Sequence, residues 1–521
     1  MNRKEGYERV TLSVVREAYF RGDFERCIDL CDAFRARDDA DIVEVTLLRA
    51  RSLLPLNRPE TALETLRALR LSEGPSDEYL TAQMLIGTAY VALGQHDHGL
   101  KILKAAHLIA DGAHRTVQAE VLVNLAVAHY RKKQLGEAQS LLDAVPPDAD
   151  IIYARALEYS GWVAWARNDF DAAVGQFTAA LRCIDACRHY DRFVEAKSLY
   201  GLAFLCGELP RLDLWPEIAL RAARFDWSVS GVAVWRYWLA IEASFATELL
   251  GDRTESTRWA SLAEKVAPSP SCRVVALCRL AALFGRYGET GAHAYFVDKA
   301  RATYDELTAS GTLRDEPSLP LSLAEEVANS TAPEDAASLL TFYAESLAPR
   351  MRGHADESRM EASKMLVEGQ LEEIRGNHAR SQRAYLSALA YFKEVGFRRR
   401  AAVVAYRLAV LTGDDTYRSF IDEALSGVSD SYWVKARIAE RHLEMRLSDR
   451  HAHVLRLVAQ GMTNKEIATA RGVSFFTARN MVRELLVLFK VRTRGELAAL
   501  AAARANAQPR ETTPKTGRMA R

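Results

Sequence analysis

"EYLTAQMLIGTAYVALGQHDHGLKILKAAHLIA", residues Glu78 to Ala110, holds two stretches of helical length in which apolar residues recur at spacings of three and four. The stretch "GQHDHG" (Gly94 to Gly99) parts them: a small residue, a few polar ones, and a small residue five positions on. A hairpin of two short helices cannot bury both of its faces alone, so such a unit needs copies of itself stacked alongside.

The copies are present. The same turn pattern begins at Gly22, Asn57, Gly94, Lys133, Asn168, Gly207, Gly251, Gly288, Ala332, Gly376 and Gly413, at spacings of 35 to 44 residues. Gly or Asn at the turn supplies a left-handed helix end, and the small residue beyond it allows close helix approach. "AYFRGDFERCIDL" resembles the tetratricopeptide repeat, as does "YSGWVAWARNDFDAAVGQFTAAL" with Gly161, Ala164, Phe170 and Ala173. From about residue 207 the units are longer and only tetratricopeptide-like. The expectation is an all-α protein whose residues 1–430 form an α-solenoid.

Composition narrows the class. With 521 residues, 49% apolar and 26% charged, the chain reads as globular with more than one domain. The start "MNRKEGYERVTLSVVREAYF" carries charges through its would-be apolar stretch, unlike a secretory signal. Seven cysteines, an odd number, fit reduced thiols and a cytoplasmic location. Cys27 with Cys31, and Cys183 with Cys187, read as small core residues rather than a redox or metal site, and His189 adds no convincing ligand set. No phosphate loop of the form G-x-x-x-x-G-K-S/T, no H-E-x-x-H and no G-x-S-x-G is present, so neither enzyme chemistry nor a cofactor or metal is expected. Trp215, Trp227, Trp235 and Trp238 are dense enough to raise an effector pocket as an alternative to packing between repeats.

The net charge of +1 conceals a segregation. Residues 447–521 carry 14 Lys and Arg against 5 Asp and Glu, a charge of +9, leaving −8 on residues 1–446. A basic terminal module on an acidic body implies that the module alone faces a polyanion. "RANAQPRETTPKTGRMAR" contributes part of that charge and reads as a disordered basic tail, 504–521. The helix "SYWVKARIAERHLEMR", 431–446, links the module to the repeats.

Residues 447–503 parse into four helices. Ser448 caps the first, which ends at Gly461, and Thr463 with Glu466 forms a capping box for the second. Gly472 ends the second, Ser474 caps the third, and the fourth begins near Gly495 and Glu496. Two helices joined by a short glycine-bearing turn place the second in a major groove. On "GMTNKEIA" followed by "GVS..T.R", the stretch resembles the LuxR-type helix-turn-helix, the four-helix DNA-binding domain of many bacterial transcription regulators.

The resemblance puts Arg479, Asn480 and Arg483 at base-facing positions. Their chemistry agrees, because an arginine fork matches guanine and Asn reads adenine. Lys465 and the helix-start amides near Asn464 suit a phosphate, with Thr463, Thr477, Arg492 and Arg494 as further backbone contacts. The family usually has Leu, Val, His and Lys where this chain has Arg471, Ala478, Met481 and Leu488. Arg471 is expected to lay its stem over the core, and Phe475 or Phe476 to fill the gap beside Ala478.

The reading is a cytoplasmic bacterial transcription regulator that binds double-stranded promoter DNA as a homodimer. A peptide, protein or small-molecule effector would sit in the solenoid groove, RNA polymerase is a candidate further partner, and no membrane is involved. The alternative is a protein–protein adaptor with a degenerate, non-binding helix-turn-helix.

Overall fold

The computed structural model describes residues 10–71, 74, 76–187, 191–311, 319–328, 333–348, 357–446, 449–489 and 491–507. The expectations for Ala332, His189, Ser448 and most of the tail fall outside these residues. Every regular element among those described is helical. The chain divides into two compact units, one of residues 1–285 and 291–429, the other of 286–290 and 430–521.

The large unit is a succession of antiparallel helix pairs, for example Ile151–Ala166 with Phe170–Ala186 and Ala233–Leu249 with Arg253–Val266. The turn residue is left-handed at Gly22, Asn57, Gly94, Lys133, Asn168, Gly251, Gly288, Gly376 and Gly413. The next amide then reaches back into the helix it has left, as Asp23 does to the Ala18 carbonyl, Gln95 to Tyr90, Asp169 to Ala164 and Asn377 to Glu372. Those bonds satisfy carbonyls that a helix end would otherwise strand. Gly207 departs from the pattern. It lies inside the helix Arg192–Glu208, and the turn falls later, at Leu209 and Pro210. Proline cannot continue a helix, so it marks the break more firmly than the glycine does.

A second regularity explains the small residue five positions after the turn. There the second helix abuts the backbone of the first, at the carbonyl twelve residues earlier. A Cβ on Gly99 would stand 2.6 Å from the Gly87 carbonyl oxygen. There Cys27 donates to the Val15 carbonyl, Ser256 to Ser244 and Ser381 to Gly369. Ala62, Ala138 and Ala173 are fully buried there. His293, where the pattern asked for something small, is accommodated by Gly285, whose added Cβ would meet the imidazole Nδ1 at 2.7 Å.

The solenoid winds tightly enough to meet itself. Phe170 stacks on Phe397 at 5.7 Å between centroids, and Glu208 pairs with Arg399, 191 residues away, and with Arg400. At the start of the chain, Phe24 packs edge-on against Phe193. The helix Arg192–Glu208 is consequently enclosed on all sides, with Glu195, Lys197 and Glu208 among its buried residues. A charge so placed needs a partner. Lys197 donates to Glu158 at 2.8 Å beneath the rings of Tyr159 and Trp235, and Arg279 to Glu248 at 2.7 Å against Phe245.

The four tryptophans belong to this packing. Trp215 meets Trp259, Trp227 lies on Phe225 and donates to the Ala222 carbonyl, and Trp235 and Trp238 flank Tyr200. The structure thus gives them the packing role of the two alternatives. Elsewhere on the solenoid, an open cavity of about 770 Å³ is lined by Lys104, His107, Leu108, Leu125, His129 and Glu137, with Ser140 and Leu141. All seven cysteines are free; Cys27 and Cys31 are buried, and the Cys183 and Cys187 sulfurs lie 3.9 Å apart. No described group of three His, Cys, Asp or Glu side chains is placed to hold a metal. No helix among the described residues is long and apolar enough to cross a membrane.

Candidate nucleic-acid interface

In the smaller unit, local rules set each helix boundary. Asp449–Ala459 is followed by left-handed Gly461, and the Met462 amide returns to the Leu457 carbonyl. Thr463 then opens Asn464–Arg471 through a reciprocal capping box. Its amide and hydroxyl donate to Glu466 at 2.6 and 2.8 Å, while the Glu466 amide donates to the Thr463 hydroxyl. Those bonds hold the Glu466 carboxyl below its ordinary range. Left-handed Gly472 turns the chain, and Ser474 caps Phe475–Leu488 by accepting from the Thr477 amide at 3.1 Å.

The fourth helix, Arg494–Ala507, starts slightly earlier than the sequence suggested, because Thr493 caps it. The Glu496 amide donates to the Thr493 hydroxyl, and the Arg492 and Thr493 amides donate to the Glu496 carboxylate. The four helices enclose a core that includes Val454, Val458, Ile467, Ala478, Val482, Leu485, Phe489 and Leu497.

That core fixes the orientation of Phe475–Leu488. Ala478, Val482, Leu485 and Phe489 recur at helical spacing and point inward. Arg479, Asn480 and Arg483 therefore point outward, all exposed, and none has a hydrogen-bond or ion-pair partner among the described residues. Lys465 is likewise exposed, and its ammonium has no partner among the described residues. The first-turn amides of Asn464 and Lys465 precede any helical acceptor, as at every helix start.

The remaining candidates divide. Thr477 and Arg492 are exposed, and the Thr477 hydroxyl lies 2.9 Å from that of Ser474. Thr463 is engaged in its capping box. Arg494 is half-buried and points inward: its guanidinium donates to the Asn464 side chain at 2.6 Å and to the Met462 carbonyl. It ties the start of the second helix to the start of the fourth, a positioning role that its sequence position alone did not reveal.

The departures from the family pattern also resolve. Arg471 is half-buried with its Nε shielded from solvent. Met481 and Leu488 pack against the core from its edge. Phe475 and Phe476 do not fill the space beside Ala478; they are 47% and 71% exposed. Ser474 fixes the helix start, and that phase turns both rings away from the core. Sequence reasoning missed this outward aromatic pair as part of the site. The available signal was spacing: Phe476, Asn480 and Arg483 follow one another at i, i+4 and i+7. It also missed His451, whose Nε2 lies 2.7 Å from Glu484 and joins the first helix to the third.

Residues 445–501 match the family described as bacterial regulatory proteins, luxR family. No curated protein matches the chain. Two solved structures are similar over most of their length. One is the APC/C hetero-tetramer Cut9-Hcn1, at 14% identity and TM-score 0.37, covering 94% of this chain and 88% of that one. The other is Naa15/Naa10 bound to HypK-THB, at 13% identity and TM-score 0.19, covering 94% and 95%. At such scores the solenoid architecture rests on the helix pairs themselves.

Proposed function

We propose that this chain, whose terminal residues 445–501 carry a luxR-family helix-turn-helix domain, is a bacterial DNA-binding transcription regulator. The observation that carries the reading is the outward face of Phe475–Leu488, where Arg479, Asn480 and Arg483 are exposed with no hydrogen-bond or ion-pair partner among the described residues; Lys465, in the preceding helix, is exposed too. Arginines left without internal partners on a rigid helix are available to base edges at little reorganisation cost. In this reading Arg479, Asn480 and Arg483 contact bases. Lys465, Thr463, Thr477, Arg492 and the Asn464 amide contact the backbone, with Arg494 holding Asn464 in place. The chain acts in the cytoplasm, and a homodimer reads two half-sites.

Residues 1–430 are the sensor, with 431–446 as the connecting helix and 447–503 as the reader. The cavity beside His107 and His129 offers room for a small effector. A second reading, an adaptor whose terminal unit docks on protein, draws on the exposed Phe475 and Phe476. Selection from a random-sequence duplex library with the full-length chain separates the two. A regulator enriches a short motif, and its log affinity falls linearly with log salt, by about 0.9 per phosphate neutralised. An adaptor enriches no motif and shows only weak retention.

A further inference from the structure

Resting on that reading, we propose that Phe476 is a specificity determinant that reads the C5-methyl groups of thymines next to the bases contacted by Asn480 and Arg483. Phe476 is the second residue of its helix, 71% exposed, on the same stripe as Asn480 and Arg483. The N-terminal residues of a recognition helix are those that meet base edges, and helical side chains lean towards the N-terminus. Its ring therefore leads the face into the groove.

A phenyl ring has no hydrogen-bonding group, and the apolar feature on a major-groove edge is the thymine methyl. The seven helical steps from Phe476 to Arg483 rise about 10 Å, close to three base-pair steps. The three side chains would thus read thymine, adenine and guanine in one short run. Charge favours this occupant. Arg479 and Arg483 are exposed on the same face, and a protein partner covering the phenylalanines would have to cover two guanidiniums that have no partner among the described residues.

The test keeps the full-length chain and changes single atoms of the DNA. The motif enriched from a random-sequence library is resynthesised with deoxyuridine for each thymidine, which removes the methyl and leaves base pairing intact. Wild-type protein should bind about fourfold more weakly for each contacted methyl lost. Phe476→Ala should bind thymine and uracil duplexes alike, no tighter than wild type binds the uracil form. Phe476→Leu, which keeps an apolar tip, should retain part of the discrimination.

An enriched motif bound equally well with thymine and uracil by the wild type overturns the inference and leaves the regulator reading intact. So does a Phe476→Ala variant that still discriminates, or one that loses self-association or a protein partner with DNA binding unaltered. Failure to enrich any motif overturns the regulator reading and the inference with it.

Discussion

At the scale of single residues, the site is a matter of which charges the fold has already used. Arg492 and Arg494 lie two positions apart and look equivalent in the sequence. Arg492 is exposed, whereas Arg494 is half-buried and holds Asn464 and the Met462 carbonyl. Removing Arg494 leaves the part-buried Met462 carbonyl without this donor, a loss of about 1–3 kcal/mol. Arg494→Ala should therefore lower the thermal midpoint of the terminal unit, while Arg492→Ala should leave it within about 0.5 kcal/mol of wild type. Equal midpoints for the two variants would remove the positioning role. The resemblance singled out Arg479, Asn480 and Arg483, and their exposure follows from helical spacing against the buried Ala478, Val482 and Leu485. The role of Arg494 could not be read from the sequence, since its acceptors lie 30 and 32 residues away. One of Phe475 and Phe476 is expected inward from the sequence because apolar residues usually are, and the cap at Ser474 overrides that habit.

Among elements, the hairpin register carries the solenoid. Phe177 is fully buried between two glycines of neighbouring helices: a Cβ on Gly161 would stand 2.6 Å from its ring and one on Gly201 2.7 Å. Gly161→Ala overpacks that contact and should cost about 1–3 kcal/mol. Gly175, in the same hairpin, is exposed within a helix with nothing inside 4 Å of an added Cβ. Gly175→Ala should stabilise by about 0.4–1 kcal/mol through the unfolded chain. Opposite shifts in the thermal midpoint of the solenoid are the expected result, and a loss in both would mean that the register is misassigned. The turn pattern was legible because a left-handed helix end favours Gly or Asn, although Lys133 also adopts it. It misplaced the turn at Gly207, where Pro210 ends the helix instead.

For the whole molecule, the segregation of charge was visible in composition, but the closure of the superhelix was not. Repeat length sets which helices are neighbours; it does not say that residue 208 meets residue 399. Glu208 lies buried, which raises its carboxyl, but Arg399 and Arg400 outweigh burial and hold it below its ordinary range. Glu208→Gln strands two guanidiniums and should cost about 3–5 kcal/mol, partly recovered by adding Arg399→Met. Nearby Glu242 is pushed up to about 7 by burial and then by the charge of Glu208, and Glu195 to about 7 by burial against the pull of Arg221.

A raised carboxyl favours the fold while protonated. The contribution of Glu242 and Glu195 is complete below the unfolded value near 4.5 and is lost as pH rises through about 7. Glu208 runs the other way, and its contribution disappears only in acid. The thermal midpoint should thus fall between pH 5.5 and pH 8.5, and Glu242→Gln should flatten that fall. An unchanged slope in the variant would show that Glu242 is ionised in the folded protein across this range.

The central claim is that the face of Phe475–Leu488 reads bases while Lys465 holds backbone. Its most direct test compares full-length wild type, Arg479→Ala, Arg483→Ala and Lys465→Ala on the enriched duplex and on random duplex across salt. The arginine variants should lose about 1–3 kcal/mol on the enriched duplex and little on random DNA. Lys465→Ala should weaken on both alike, with a salt slope reduced by about one. A uniform loss shared by all three variants, or no loss in any of them, would contradict the claim.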